Sequence, residues 1–200
     1  MNIHDVKEVK NDGRPIIEQI FHHQRDVMKK YHEIEWKNGL LLDEKVPVDI
    51  NSHLGQARLK DFAWRVTEEL MESAEAMENE DLVHAREEGA DALHFITELC
   101  ILSGMGHSDV KFGSGSSHDH VIEMHGVILD LGKAMNCLKN KPWKQSQMLT
   151  DVDRYKKYVA SAFANMWFVF YSLGVENEEG IFNFYFRKNQ VNKFRQRSKY

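Results

Sequence analysis

Two pairs of acidic residues lie near the middle of the sequence, Glu69 with Glu72 and Glu88 with Asp91, and each pair is spaced three positions apart. Residues three apart share one side of an α-helix, so each pair can direct two carboxylates toward one point. If the two segments form antiparallel neighbouring helices joined by a turn near residues 79–81, all four carboxylates can meet. Carboxylate oxygens are ligands that Mg²⁺ accepts. The spacing therefore predicts a magnesium site.

Acidic residues on a helix usually form a solvated face, and this alternative stays open for Glu69 and Glu72. Glu88 and Asp91 argue against it, because at about 100° per residue they share a face with Phe95. The segment ALHFITELCIL that follows Asp91 is apolar nearly all round, which indicates a buried helix. A carboxylate on such a helix is costly unless a cation or a donor meets it. A bound metal ion would be that partner.

Two other kinds of metal site are less consistent with the sequence. A four-helix di-iron site needs Glu-x-x-His on two helices, and the sequence contains no such motif. A zinc site could use histidines from one segment, although no cysteine lies near them and exposed loop histidines are the simpler interpretation. The histidines concerned are His107, His118, His120 and His125.

Long stretches with a 3.6-residue period, few alternating segments and three prolines predict an all-α protein. Residues 104–120 are rich in Gly and Ser and are predicted to form a mobile loop. Because no internal repeat or clear linker divides the chain, residues 1–200 are predicted to form a single domain, a helical bundle of about six helices. The expected helices are 15–36, 52–79, 82–103, 119–140, 151–173 and 178–194.

The composition favours a globular protein of the cytoplasm. Hydrophobic residues make up 42% and charged residues 28%, which is ordinary for a soluble domain. No apolar stretch is long enough to span a bilayer, and the first residues do not resemble a signal peptide. The two cysteines lie inside helical patterns, which suits a reducing compartment.

The net charge of −5 conceals two regions of opposite sign. The last fourteen residues contain six Lys or Arg and no acid, whereas the other 186 residues carry 20 basic and 31 acidic groups. This division fits a protein that binds both a metal cation and a phosphate chain. A solvated tail or a nonspecific nucleic-acid-binding arm would fit it as well.

Three parts of the sequence resemble a known family. Glu-x-x-Glu followed by Glu-x-x-Asp on successive helices resembles the all-α NTP pyrophosphatase superfamily, which includes the MazG proteins and the dimeric dUTPases. Residues 91–95, DALHF, resemble the Asp-hydrophobic-Leu-His-Phe pattern of dimeric dUTPases. Residues 185–200 resemble the Tyr-x-x-Lys-Asn-x-x-Asn-x-x-Arg-Gln-x-x-Gly-Tyr ending of dimeric dUTPases and phage dCTPase/dUTPases, and the first helix contains Gln24.

The sequence departs from the family pattern in three places. Lys199 stands where the family usually has Gly before the last Tyr. The stretch rich in Trp and Lys that often separates the two acidic pairs is missing. The polar residue that often follows the first-helix Gln, and helps to bind the pyrimidine, is not evident after Gln24.

The resemblance implies an all-α, Mg²⁺-dependent enzyme, with Mn²⁺ able to substitute, that cleaves dUTP or dCTP to the monophosphate and pyrophosphate. It also implies a homodimer without a membrane or nucleic-acid partner. The catalytic and metal-binding residues would be Glu69, Glu72, Glu88 and Asp91, one glutamate also orienting or deprotonating the attacking water. The substrate-binding residues would be Gln24 at the base, His94 in the nucleotide pocket, Lys188, Asn192 and Arg195 at the phosphates, and Tyr200 on the sugar.

Three alternatives remain at this stage. The chain could be a broader MazG-like dNTP pyrophosphatase, since base choice is not fixed by the acidic motif. It could be a non-catalytic helical protein that binds nucleic acid through the basic C-terminal tail. It could also be a structural or regulatory helical dimer without turnover.

Overall fold

The computed structural model describes residues 3–6, 12–41, 43–117, 119–141 and 143–198. Within these ranges there is no strand, and the prediction of an all-α fold with six helices is confirmed. Two short 3₁₀ helices, Ile3–Asp5 and His107–Asp109, accompany them. The six helices are α1 (Ile16–Lys37), α2 (His53–Glu78), α3 (Leu82–Leu102), α4 (His120–Cys137), α5 (Val152–Ser172) and α6 (Glu178–Ser198).

Polar side chains cap four of the helices at the positions where the sequence predicted them to begin. The Ser52 hydroxyl accepts a hydrogen bond of 2.8 Å from the Gly55 backbone N–H at the start of α2. Aspartates in the same position cap α3, α4 and α5, and such a cap stabilises a helix by about 1 kcal/mol. Two predicted ends differ from the structure, because α4 already ends at Cys137 and α6 continues to Ser198.

Helix α3 lies at the centre of the molecule and positions the acidic residues. A three-residue turn joins it to α2, so these two helices run antiparallel and pack along their length. It also packs against α1, α5 and α6, while α4 and α5 pair with each other. Fourteen of the 21 residues of α3 are buried, as its apolar sequence predicted. None of the described helices is both long enough and apolar enough to cross a bilayer.

Residues 104–117 are anchored to α5 and do not form the mobile loop that the sequence predicted. Phe112 is 6% exposed and stacks on Phe163 with ring centroids 5.3 Å apart. The Gly113 N–H donates to the Ala164 carbonyl at 3.0 Å, and a Cβ at Gly113 would lie 3.0 Å from that oxygen. Glycine here permits close approach to α5, whereas the prediction had treated glycines as a sign of mobility.

Candidate active site

Three of the four predicted acidic residues come together between α2 and α3. Carboxylate oxygens of Glu69, Glu88 and Asp91 all lie within 4.8 Å of one another, and we call these three residues the acidic cluster. Glu88 is buried, while Glu69 and Asp91 are half-buried. The α2–α3 hairpin brings them together because each residue lies on the side of its helix that faces the other. Glu72 is exposed and lies outside the acidic cluster.

The three carboxylates of the acidic cluster lie close enough to repel one another when they are ionised. Burial raises the pKa of the Glu69 carboxyl to about 9, and the neighbouring charges of Asp91, Glu88 and Glu72 contribute to the same rise. Like charges held this close cannot all ionise unless a cation joins them. The protein by itself therefore keeps a proton on Glu69 at neutral pH.

Lys188 on α6 reaches the acidic cluster from the opposite side. Its Nζ lies 2.7 Å from Asp91 Oδ2, 3.9 Å from Glu87 Oε2 and 4.0 Å from Glu88 Oε1. Burial disfavours the ammonium form, but these carboxylates outweigh burial and raise the pKa of Lys188. The structure thus places this residue on the carboxylates of the acidic cluster, whereas the family resemblance implied a phosphate contact.

A cavity of about 260 Å³ begins at the acidic cluster and extends between α1, α2, α3 and α6. Glu69 and Asp91 form part of its wall, and Arg195 and Asn192 reach it from α6. The other predicted substrate residues that line the cavity are Gln24 and His94. Tyr200 lies outside the described residues.

His94 forms part of the cavity wall and is held from two sides. Its ring stacks on Tyr185 with centroids 4.1 Å apart and an interplanar angle of 18°. The Nδ1–H donates to the Ala90 carbonyl at 2.7 Å, which leaves Nε2 as an acceptor. That Nε2 is buried and has no hydrogen-bond partner among the described residues. Burial also lowers the pKa of His94, so the ring is neutral at physiological pH.

A chain of buried hydrogen bonds lies behind the other part of the cavity. The Tyr185 hydroxyl donates to Gln24 Oε1 at 2.9 Å, and Gln24 Nε2 donates to Glu98 Oε2 at 2.9 Å. Glu98 Oε1 lies 3.0 Å from His32 Nε2, which also contacts the buried guanidinium of Arg58. We call these five residues the buried network. Glu98 was not predicted as a site residue, although an acid inside the apolar run ALHFITELCIL was a usable signal.

Aromatic and basic residues that were not predicted from the sequence also line the cavity. Phe62 and Phe95 lie there, and the Arg65 guanidinium sits 4.6 Å from the Phe62 ring centroid. Arg65 also pairs with Glu35 at 3.2 Å. Arg65 precedes Glu69 by one helical turn on α2, which was the available clue that both residues face the same space.

The described histidines of the zinc alternative do not gather with other ligands. Among the described residues, the acidic cluster is the one group of three or more His, Cys, Asp or Glu side chains close enough to share a metal ion. His120 is buried and lies 3.1 Å from the Ser73 hydroxyl and 2.8 Å from the Ser172 hydroxyl. It therefore links three helices, and His118 lies outside the described residues.

Comparison with known families agrees with this architecture. A family model described as dUTPase matches residues 70–200, which include Glu88, Asp91 and all of α6. Gln24 and Glu69 precede the matched region. Comparison with curated proteins and with solved structures gives no match. Since the family model matches more than half of the 200 residues, this chain belongs to the all-helical dUTPase family.

Proposed function

We propose that this chain hydrolyses dUTP, with dCTP as a second substrate, to the monophosphate and pyrophosphate, with Mg²⁺ as the cofactor. The family membership supports a dUTP pyrophosphatase type of activity. The observation that carries the proposal is the convergence of Glu69, Glu88 and Asp91 at a cavity. A homodimer and a role in cytoplasmic control of the nucleotide pool belong to the same proposal.

The chemistry of the acidic cluster fits a hard divalent cation. Its three carboxylates provide oxygen ligands. The raised pKa of Glu69 shows that these carboxylates repel one another, and a bound cation would relieve that repulsion. Glu69, Glu88 and Asp91 would hold Mg²⁺, with Glu72 as the fourth proposed ligand from the same side of α2. Mn²⁺ accepts the same oxygen ligands and would substitute. When bound, the cation neutralises charge on the triphosphate oxygens.

The protein's own groups would bind and orient the nucleotide. Hydrolysis of a phosphoanhydride depends mainly on positioning and on neutralising charge. Arg195 and Asn192 line the cavity from α6 and would bind the phosphates, with Lys188 close behind them. Gln24 would bind the base and neutral His94 would line the nucleotide pocket. One of the glutamates, Glu69, Glu72 or Glu88, would orient the attacking water or take its proton.

Tyr200 is proposed to stack on the sugar as the end of the chain closes over the nucleotide. The alternative of a nucleic-acid-binding arm is weakened by the position of the basic residues on α6. Lys188 is paired with Asp91, and Arg195 faces the cavity. An arm that binds nucleic acid would instead present such residues outward to phosphates.

A panel of nucleotides tests this proposal. The purified protein is incubated with each common dNTP and with dUTP in Mg²⁺, and pyrophosphate and monophosphate are quantified. We expect pyrophosphate from dUTP and dCTP and none when the cation is chelated. Similar rates with all dNTPs would favour the broader MazG-like activity instead, and salt-sensitive DNA binding without turnover would favour the nucleic-acid-binding alternative.

A matched pair of substitutions on α2 tests the role of the acidic cluster. Glu69→Gln removes one carboxylate of the cluster with little change in shape and should abolish turnover. Glu78→Gln makes the same change at an exposed position of the same helix and should leave turnover unchanged. Equal activities of the two variants would contradict the proposed site.

A further inference from the structure

Lys188 pairs with an acid that the proposed cation would need as a ligand. Its side chain is 6% exposed, and its Nζ lies 2.7 Å from Asp91 Oδ2. Glu87 Oε2 and Glu88 Oε1 follow at 3.9 and 4.0 Å, which is beyond hydrogen-bond distance. The ammonium therefore makes one short, charge-assisted contact, and that contact is with Asp91.

The same contact opposes the binding of a second cation at Asp91. Mg²⁺ holds its oxygen ligands at about 2.0 to 2.1 Å in a nearly octahedral arrangement and tolerates little distortion. A neutral donor beside Asp91 could orient the carboxylate for the ion without any repulsion. A buried ammonium instead brings a second positive charge close to the ion, where little water screens the two charges from each other. Asp91 is therefore a good Mg²⁺ ligand only when the ammonium withdraws.

The position of Lys188 is also incompatible with the phosphate contact of the proposed function. Asp91, Asn192 and Arg195 line the cavity, whereas Lys188 does not. Asn192 and Arg195 follow Lys188 by four and seven residues, so the three residues share one side of α6. The stem of a lysine is flexible, and rotation about its bonds can move the ammonium into the cavity while α6 stays in place. To reach a phosphate there, the ammonium must leave Asp91.

We infer that Lys188 and Mg²⁺ compete for Asp91, and that the ammonium moves to the phosphate chain of the nucleotide when the ion binds. The phosphate chain rests on the proposed function, whereas the competition for Asp91 rests on the contacts of Lys188. In the free protein this lysine weakens the binding of Mg²⁺, and in the loaded protein it strengthens the binding of the phosphates. Lys188 is thus a positioning residue that serves the two ligands in turn.

The exchange couples the binding of the two ligands. Mg²⁺ releases the ammonium for the phosphates, and the phosphates hold the ammonium away from Asp91. Each ligand should therefore increase the affinity of the protein for the other by the same factor. The free protein would bind Mg²⁺ weakly and would take up the ion together with the nucleotide.

The variant Lys188→Met tests this exchange, because it removes the charge and keeps an unbranched side chain. In titration calorimetry with Mg²⁺ alone, it should bind the ion about tenfold more tightly than the wild type. The second probe is a dUTP analogue with an imido group between its α- and β-phosphorus atoms, which resists cleavage. At saturating Mg²⁺ this analogue should bind about tenfold more weakly to the variant. A general loss of structure would not produce two effects of opposite sign.

Lys193→Met is the matched control. Lys193 lies on the same helix and also pairs with an aspartate of another helix, with its Nζ 3.7 Å from Asp26 Oδ2, but neither residue lines the cavity. The affinities for Mg²⁺ and for the analogue should both stay the same. Unfolding midpoints establish that both variants fold.

Nuclear magnetic resonance of the wild-type protein provides a measurement that does not depend on the stability of Lys188→Met. In ¹⁵N-labelled protein, saturating Mg²⁺ should shift the Nζ signal of Lys188 and speed the exchange of its hydrogens with water, because the contact with Asp91 is lost. The signal is identified by its absence from Lys188→Arg. An Nζ signal that is unchanged at saturating Mg²⁺ would overturn the inference.

The remaining outcomes separate this inference from the proposed function. If the wild type hydrolyses dUTP with Mg²⁺ but a folded Lys188→Met binds the ion no more tightly, the inference fails and the proposed function stands; the lysine would then orient Asp91 for the ion. If Lys188→Met binds Mg²⁺ more tightly but the wild type hydrolyses no nucleotide, the proposed function fails and the competition for Asp91 stands. Equal binding of the analogue by the wild type and the variant would overturn the transfer to phosphate.

Discussion

The two ends of the cavity both use carboxylates from α3, but these carboxylates are partnered differently. At the acidic cluster, Glu88 and Asp91 meet a third acid, Glu69, whose pKa is raised to about 9. In the buried network, each oxygen of Glu98 already has a hydrogen-bonding neighbour. The first end gathers three carboxylates around a single lysine, Lys188, and is suited to gain a further cation. The second is complete and is suited to hold a fixed arrangement of donors and acceptors.

This contrast teaches that burial of a carboxylate does not by itself identify a metal site. Glu88 and Glu98 are about equally buried, at 6% and 4% exposed. What distinguishes them is that Glu88 lies among further acids, with His84 and Lys188 beside them, whereas Glu98 is surrounded by the hydrogen-bonding side chains of the buried network. Four experiments test this distinction.

Asp91→Asn should reduce pyrophosphate release by about 10³-fold, because it removes a carboxylate of the acidic cluster at the point where phosphate charge must be neutralised. Glu72→Gln should reduce it less, because Glu72 lies outside the acidic cluster in this structure. Steady-state rates with dUTP and Mg²⁺ provide the comparison. A larger loss of activity in Glu72→Gln than in Asp91→Asn would mean that the acidic cluster rearranges when Mg²⁺ and nucleotide bind.

Lys188→Met should destabilise the metal-free protein by about 3 kcal/mol, because it leaves Asp91 and Glu88 without their buried cation. Added Mg²⁺ should restore part of this loss by replacing the missing positive charge. Urea unfolding with and without Mg²⁺ measures both effects. Equal destabilisation under the two conditions would argue that the cation does not bind beside Lys188.

Tyr185→Phe should cost about 1 kcal/mol of stability, because the hydroxyl donates within the buried network to Gln24 and contacts the Ile20 carbonyl. The ring stack on His94 remains possible in this variant. We also expect weaker binding of both nucleotides, since the Gln24 amide is no longer held in one orientation. Unchanged KM values would indicate that Gln24 does not need this support.

The stability of the metal-free protein should fall as the pH rises from about 5 to about 9. Glu69 keeps its proton in the folded state up to its raised pKa of about 9 but loses it near 4.5 when unfolded. The folded state therefore binds more protons across this interval, and its advantage is lost as the pH rises through 9. Thermal unfolding midpoints should drop by a few degrees in the wild type and less in Glu69→Gln. A drop of the same size in both would assign the effect to another group.

Sequence reasoning succeeded where local chemistry decides the structure. The predicted helix starts near residues 52 and 82 coincide with the caps Ser52 and Asp81, and the face shared with Phe95 correctly placed Glu88 and Asp91 on the apolar stripe of a buried helix. Glu72 is exposed, an outcome that the sequence had left open, because three-residue spacing fixes a common side of α2 but not how far α3 covers that side.

Contacts between distant segments could not be predicted from the same patterns. The buried network joins α1, α2, α3 and α6, and nothing local to Gln24 or Arg58 indicates that Glu98 will meet them. The anchoring of residues 104–117 was missed for a related reason. The buried side chains of Met105, Val110 and Phe112 outweigh the local preference of the Gly and Ser residues once the core provides an apolar surface.

The contact between Lys188 and Asp91 also bears on whether the chain can fold before it binds a cation. An ammonium group built into α6 can stand in for an external ion while the chain folds. If Mg²⁺ binds as proposed, the helices can reach their final places before the ion arrives. Its binding would then be a late and reversible step, and a shortage of free Mg²⁺ would leave a folded protein without its cation.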